Sequence, residues 1–416
     1  MHYFEYRNDE LYAEEVSVNE LVREFDTPLY IYSAKTLRRH FRAFDSAFEG
    51  IDHLTCYSVK ANSNICVLKL LSEMGSGMDI VSGGELFRTL KAGIDPQKIV
   101  YSGVGKRENE IREALISNIL MFNVESRQEL EKIDRIAGEM DTQARISLRI
   151  NPDVDPKTHP YIATGLQKSK FGLDLEQALE SYRLAGDLPH ILPIGIDCHI
   201  GSQLTSVEPF LEALERIKIF HGHLQEMGLE IKYLDLGGGL GITYDQEAPP
   251  HPAEFGQAVR ESLKDLDLTL ILEPGRVIAG NAGILVTRVL YTKSTPSKNF
   301  LIVDAAMNDL LRPSLYGSYH HIAPVEQKNG KTLQTVDVVG PICESGDFLA
   351  QGRELPETAQ DELLAIFSAG AYGFTMSSQY NSRPRPAEVL VDKDEITLAR
   401  RKEIYFDLLQ LEEQCY

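Results

Sequence analysis

Cys56-Tyr57-Ser58-Val59-Lys60-Ala61-Asn62-Ser63-Asn64 reads as a short apolar strand that ends in a lysine and passes into a polar turn. A lysine placed where a strand leaves a hydrophobic core is half buried. Its ammonium is poorly solvated there, which lowers its pKa and makes the free amine a usable nucleophile. Taken alone, the stretch reads more simply as a surface lysine at a strand end. Groups elsewhere along the chain decide between the two.

Outward from this strand a regular alternation runs. Apolar strand-like segments lie near residues 54–60, 78–82, 99–102, 120–124, 145–150, 191–199, 231–236 and 268–273. Helical patterns fall between them, among them 65–74, 85–92, 127–140, 175–185, 207–227 and 253–263. Such alternation implies parallel strands joined by right-handed crossovers. Eight strands is the number of a closed (β/α)8 barrel; a doubly wound open sheet has the same periodicity. Upstream, Ser17-Val18-Asn19-Glu20 fits a capping box that opens a helix through Phe25, and Leu29–Tyr32 is strand-like. After Ile284 the pattern becomes β-rich, with segments 284–292, 300–304, 335–339 and 363–368 and turns expected at Gly330 and Gly352. The expected organisation is a barrel over 34–283. A second domain of antiparallel β structure, 284–416, takes in the N-terminal strands of 1–33.

The chain has 416 residues, 43% of them apolar, enough for a large domain with a smaller one. Its net charge of -20 argues against nucleic acid or an anionic membrane surface as partner. Five irregularly spaced cysteines make no disulfide framework and suit a reducing cytoplasm. The first six residues lack the cationic start and apolar core of a signal peptide. No apolar run is long enough to span a bilayer.

In a barrel the chemistry gathers at the C-terminal ends of the strands, with phosphate often held after the seventh and eighth. Gly237-Gly238-Gly239-Leu240-Gly241 follows the seventh strand segment and Glu273-Pro274-Gly275-Arg276 the eighth. Glycines let backbone N–H groups approach a phosphate, and the arginine adds a guanidinium. His199 follows the sixth segment, where it offers a flat imidazole face to a flat ring, and Ser202 adds a hydroxyl. An amine, a phosphate cradle, a planar group and a carboxylate in one mouth suggest pyridoxal phosphate. Its aldehyde needs an amine, and its ring nitrogen needs an anion such as Glu273 to stay protonated. Other motifs fail. Gly103-Val104-Gly105-Lys106 lacks the first glycine and the Ser/Thr of a P-loop. His221 and His223 stand i, i+2 on a helix and point apart, so no metal site is expected.

The sequence resembles the pyridoxal-phosphate barrel decarboxylases, and within them the diaminopimelate decarboxylases. The resemblance runs through Tyr57–Asn62, Asp79-Ile80-Val81-Ser82-Gly83-Gly84-Glu85, His199-Ile200-Gly201-Ser202, Gly237–Gly239 and Glu273–Arg276. It continues through Asn308-Asp309-Leu310-Leu311-Arg312-Pro313, Cys343-Glu344-Ser345-Gly346-Asp347 and Gly370-Ala371-Tyr372-Gly373. Ser58 departs from the commoner alanine. The resemblance implies a barrel and the conversion of meso-2,6-diaminopimelate to L-lysine and carbon dioxide. It implies Lys60 as the covalent anchor of the cofactor, His199 stacked on the ring and Glu273 at the ring nitrogen. It places Gly238, Gly239, Gly275, Ser202, Arg276 and Tyr372 around the phosphate, Tyr372 also facing substrate. Cys343 is implied as proton donor, reaching the site from the partner in a homodimer. The far amino-acid head of the substrate requires cations and an anion, which Arg276, Arg312 and Tyr316 and then Glu344 supply. An enzyme for ornithine, arginine or carboxynorspermidine on the same scaffold is the competing reading. A racemase needs a second base facing Lys60, and no motif supplies one. A homologue without chemistry would lack Lys60 or Cys343.

Overall fold

The computed structural model describes residues 2–155, 170–328 and 330–412. Two compact units emerge: His40–Ile242 with Ala248–Val277, and Met1–Arg39 with Thr243–Glu247 and Ile278–Tyr416.

In chain order the elements begin with β1 (Phe4–Arg7), β2 (Glu10–Ala13), β3 (Val16–Ser17), α1 (Val18–Phe25), β4 (Leu29–Ser33) and α2 (Ala34–Asp45). Then come β5 (His53–Ser58), α3 (Ile65–Glu73), β6 (Gly77–Ile80), α4 (Gly83–Lys91), β7 (Ile99–Tyr101), α5 (Glu108–Ile116), β8 (Met121–Val124) and α6 (Arg127–Glu139). These lead to β9 (Ala144–Ile150), α7 (Leu175–Asp187), β10 (Ile191–Cys198), α8 (Glu208–Glu226), β11 (Tyr233–Asp235), α9 (Pro252–Leu263) and β12 (Thr269–Leu272). The remainder comprises α10 (Arg276–Ala279), β13 (Gly283–Ser294), β14 (Asn299–Val303), α11 (Arg312–Tyr316), β15 (Ile322–Pro324), β16 (Leu333–Val339), β17 (Phe348–Pro356), β18 (Leu363–Ile366), β19 (Ala387–Asp392), β20 (Glu395–Arg400) and α12 (Tyr405–Leu409).

Strands β5 to β12 close into a parallel barrel, so the closed reading of the alternation holds and the open sheet does not. Closure is made by β12 against β5, with Leu270 opposite His53. Cys56, Val100, Met121, Ile194 and Ile271 form one buried apolar cluster of this unit. Full burial of such side chains contributes roughly 1.5–3 kcal/mol each. Toward the C-terminal ends of the strands the inventory changes. Ser58, Asp79, Asn123, Arg149, Asp197 and Asp235 are all buried there. Register brings them together: Ser58 lies opposite Asp79, and Asp197 opposite both Arg149 and Asp235. The helices that follow are started by side chains at the same rim. Asn64, Ser82, Ser126 and Asp174 each accept a backbone N–H of the first turn, at 2.9 to 3.2 Å. The strand ends are thereby fixed as polar, rigid positions.

In the other unit, only the Ser17 half of the expected capping box is found among the described residues. Ser17 accepts the N–H of Glu20, and α1 ends at Phe25. β1, β2 and β3 form an antiparallel sheet. Their apolar residues Phe4, Leu11, Ala13 and Val16 share one core with Leu29 and Ile31 of β4, Ile284 and Val286 of β13, and Val389 and Val391 of β19. The larger sheet runs β17-β16-β14-β13-β4-β19-β20. It is mixed: most pairs are antiparallel, whereas β4 with β19 and β14 with β16 are parallel. Gly352 makes no turn. It sits inside β17 at φ +57°, where two residues oppose Asp337 and its N–H donates to the Asp337 carboxylate at 2.7 Å. Turn and bulge both use a glycine at positive φ, so the residue alone did not distinguish them.

Candidate active site

Lys60 stands in a short 3-10 turn directly after β5. Its ammonium pairs with the carboxylate of Asp79, whose side chain is fully buried while that of Lys60 is 37% exposed. The half-buried position expected from the sequence is thus what is found, with a carboxylate in contact with the amine. Ser58 donates to the same Asp79 oxygen at 2.8 Å and accompanies the backbone carbonyl of Glu273 at 3.0 Å. The other Asp79 oxygen, Oδ1, is buried and has no hydrogen-bond partner among the described residues.

Glu273 follows β12. Its Oε1 accepts from the Ser102 hydroxyl at 3.2 Å and the Asn123 amide at 3.4 Å. Its Oε2 takes no hydrogen bond from the described residues. Burial, then the nearby Asp235 and Asp79 carboxylates, push the Glu273 carboxyl far above its usual range. Asp235 rises to about 7, again through burial first and then Asp197. Asp197 is raised by burial and keeps a buried Oδ1 without a partner among the described residues. The cations of this group are Lys60 and Arg149. The Arg149 guanidinium holds Glu125 at 2.8 Å and reaches the carbonyl of His199 at 3.5 Å. The cluster therefore has more carboxyls than cations, which favours a further positive group beside Glu273.

His199 follows β10. Burial, then Arg149 and Lys60, drive its pKa well below the usual value. Its Nδ1 accepts the N–H of Gly238 at 3.1 Å, so the ring is a neutral, fixed plane. The glycine run packs beside it. Gly237 and Gly239 take φ of +67° and +122°. A Cβ on Gly238 would lie 2.1 Å from the Glu273 carbonyl oxygen, and one on Gly239 2.6 Å from that of Gly201. Ser202 accepts a hydrogen bond from the buried Arg276 at 3.1 Å. Gly275 lies in the backbone between Glu273 and Arg276.

In the β unit, Arg312 is buried, with its guanidinium 5.0 Å from the ring of Tyr244 and 5.7 Å from that of Tyr316. It also donates to Ser318 at 3.2 Å. Cys343 and Glu344 are exposed. The Cys343 N–H donates to Asn381 at 2.8 Å, and Tyr380 donates to Glu344 at 3.1 Å. Asp347 braces this loop by accepting the N–H groups of Ile342 and Met307, each at 2.7 Å. Tyr372 adopts φ +55°. His221 is buried within α8.

Residues 34–280 match the model of the pyridoxal-dependent decarboxylases, pyridoxal binding domain. The chain is 54% identical to a diaminopimelate decarboxylase of Aquifex aeolicus over 97% of this chain and 96% of the relative. It is 52% identical to that of Haemophilus influenzae over 99% of each. The chain belongs to the diaminopimelate decarboxylase family. The crystal structure of the diaminopimelate decarboxylase from Helicobacter pylori complexed with L-lysine superposes with a TM-score of 0.93 at 44% identity, covering 96% of this chain and 100% of that one.

Pyridoxal phosphate is the cofactor of this decarboxylase family, and the barrel residues fit it. An amine stands at Lys60, a flat neutral imidazole at His199 and an acid oxygen without a donor at Glu273. The glycine cradle has no room for side chains. Sequence reading assigned no role to Asp79, Asn123, Arg149, Asp197 or Asp235. Each is a polar or charged residue at or near the C-terminal end of a barrel strand, and that position was the available signal.

Proposed function

We propose that the chain catalyses the pyridoxal-phosphate-dependent decarboxylation of meso-2,6-diaminopimelate to L-lysine and carbon dioxide. The observation that carries this is the gathering of Lys60, His199, Glu273 and the Gly237–Gly239 cradle at one end of a single barrel. Bound there, the cofactor supplies an electron sink for the pair left when carbon dioxide departs.

The chain's own residues do the rest. Lys60 would hold the cofactor through Nζ, with Asp79 in place to take the proton that this amine carries. Glu273 presents Oε2 to the ring nitrogen. His199 would present the flat face of its neutral imidazole to the ring. The backbone at Gly238, Gly239 and Gly275, with Ser202, Arg276 and Tyr372, binds the phosphate. Arg276, Arg312, Tyr316 and Tyr372 bind the far carboxylate of the substrate, and Glu344 its ammonium. An enzyme that releases a diamine has no use for the buried Arg312, which favours a substrate with a second carboxylate. Cys343 delivers a proton from Sγ to the carbon that has lost carbon dioxide. Its exposure suits a homodimer in which it serves the partner's site. The barrel of 34–283 is the cofactor domain, the remainder is the β domain, and the enzyme works in the cytoplasm.

The test is a panel assay of the reconstituted protein with meso-diaminopimelate, ornithine, arginine and carboxynorspermidine. Carbon dioxide and lysine from the first alone support the proposal. Equal or greater turnover of another member reassigns the substrate.

A further inference from the structure

The Glu273 carboxyl does not stand alone in the barrel. The Asn123 amide nitrogen lies 3.0 Å from Asp235 Oδ2 and 3.4 Å from Glu273 Oε1. It also donates to Ser102 at 3.0 Å, and Ser102 donates to the same Glu273 oxygen at 3.2 Å. The Asn123 amide oxygen is taken by the Ser147 hydroxyl at 2.6 Å, which fixes which way the amide points. Asp235 Oδ1 accepts the N–H of Gly237 at 2.9 Å, so this carboxyl is anchored at the start of the glycine cradle. Asn123, Ser147 and Asp235 are fully buried, and Ser102 and Glu273 are 5% exposed. Two carboxyls are thus joined through one amide, away from bulk water. Among the described residues, the side-chain hydrogen bonds to this carboxyl land on Glu273 Oε1, leaving Oε2 for a donor.

We propose that Asp235 is a positioning residue for Glu273, tied to it through Asn123, and that its negative charge raises the basicity of the Glu273 oxygen that holds the ring-nitrogen proton. The proposal rests on the reading of Glu273 as the ring-nitrogen partner. A solvated glutamate is a weak base, with a pKa of about 4.3. Held beside a second buried carboxylate, it becomes a stronger acceptor, because a like charge nearby disfavours its ionised form unless a cation arrives. The groups facing Glu273 are Asp235 of β11, Asp79 of β6, Lys60 after β5 and Arg149 of β9. Lys60 and Arg149 lower its proton affinity, while Asp79 and Asp235 raise it. Of the two acids, Asp79 is paired with Lys60. Among the described residues Asp235 accepts only from Gly237 and Asn123 and pairs with no cation, so the charge it carries once ionised, near pH 7, acts on Glu273 without a counter-ion.

The experiment uses the holoenzyme reconstituted with pyridoxal phosphate labelled with nitrogen-15 in the ring. The nitrogen chemical shift is followed against pH in wild type, Asp235→Asn, Asn123→Ala and Glu273→Gln. Asp235→Asn keeps shape and removes the charge. It should lower the pH at which the ring nitrogen loses its proton by about one to two units, the size expected for one like charge close by. In the same variant kcat should fall while KM for substrate stays near the wild-type value. Asn123→Ala should shift the titration in the same direction by less. Glu273→Gln should leave the ring nitrogen unprotonated throughout. A protonated ring in Glu273→Gln overturns the parent reading. An unprotonated ring there, with a wild-type titration in Asp235→Asn, overturns this proposal and leaves the parent reading in place.

Discussion

Replacing Gly238 by alanine tests the cradle at its tightest point. The new Cβ would lie 2.1 Å from the carbonyl oxygen of Glu273 and 3.1 Å from its carbonyl carbon. Ordinary carbon–oxygen contacts begin near 3.4 Å, so more than an ångström must be recovered by backbone movement. Neither side gives easily. The Glu273 carbonyl lies 3.0 Å from the Ser58 hydroxyl, and the Glu273 N–H donates to the Gly237 carbonyl at 2.8 Å. The Gly238 N–H itself donates to His199 Nδ1 at 3.1 Å. Relief therefore displaces Glu273, His199 and the Gly237–Gly239 loop together. Overpacking of this kind costs about 1–3 kcal/mol. Charged to the cofactor-binding geometry, that is about 5- to 150-fold in affinity. The assay is titration of the cofactor-free variant with pyridoxal phosphate, followed by the absorbance of the lysine-bound cofactor, with thermal melting of the cofactor-free protein beside it. Gly222→Ala on α8 is the control, since nothing lies within 4 Å of its Cβ. A helix-interior alanine there should be neutral or stabilising by up to about 1 kcal/mol. Affinity within twofold of wild type and an unchanged melt in Gly238→Ala would refute the packing described for the loop.

Glu125→Ala strips the buried Arg149 of its carboxylate and leaves the N–H of Gly172 without its 2.8 Å acceptor. A loss of about 3–5 kcal/mol is expected in denaturant unfolding, and a loss under about 1 kcal/mol would contradict a buried pair. Asp235 has a folded pKa of about 7, above its unfolded value of about 3.9, so its contribution is fully present below pH 4 and is lost as pH rises through 7. Asp235→Asn lacks this term. In the cofactor-free state its stability relative to wild type should therefore climb between pH 4 and 7, and a flat difference across that window would count against the burial described. Cys343→Ala should bind cofactor normally and release lysine slowly; wild-type turnover would remove its role as proton donor.

The barrel was legible because each strand is a short apolar run bounded by a polar, helix-starting residue. The segment expected at 145–150 is β9, Ala144–Ile150, and that at 268–273 is β12, Thr269–Leu272. Lys60, His199, Ser202, Glu273 and Arg276 were legible for the same reason, as all follow strand ends, where local pattern reveals them. Asp79, Asn123, Arg149, Asp197 and Asp235 were not. They lie within strands, and what they do depends on the cross-strand neighbour that register supplies. Arg149 faces Asp197, 48 positions on, and no local window contains both. The β unit hid its parallel pairings likewise: β4 takes β19 as its partner, with Ala387 beside Leu29. Gly352 shows the remaining ambiguity, a positive-φ glycine that serves a bulge rather than a turn.

The most direct measurement is the stoichiometry of lysine and carbon dioxide released from meso-diaminopimelate by protein reconstituted with pyridoxal phosphate, run beside Lys60→Ala. One lysine per carbon dioxide from the wild-type protein, with neither product nor the absorbance of lysine-bound cofactor in the variant, is the result expected. Cofactor absorbance retained in Lys60→Ala, or wild-type protein that binds cofactor yet leaves diaminopimelate intact, would contradict it.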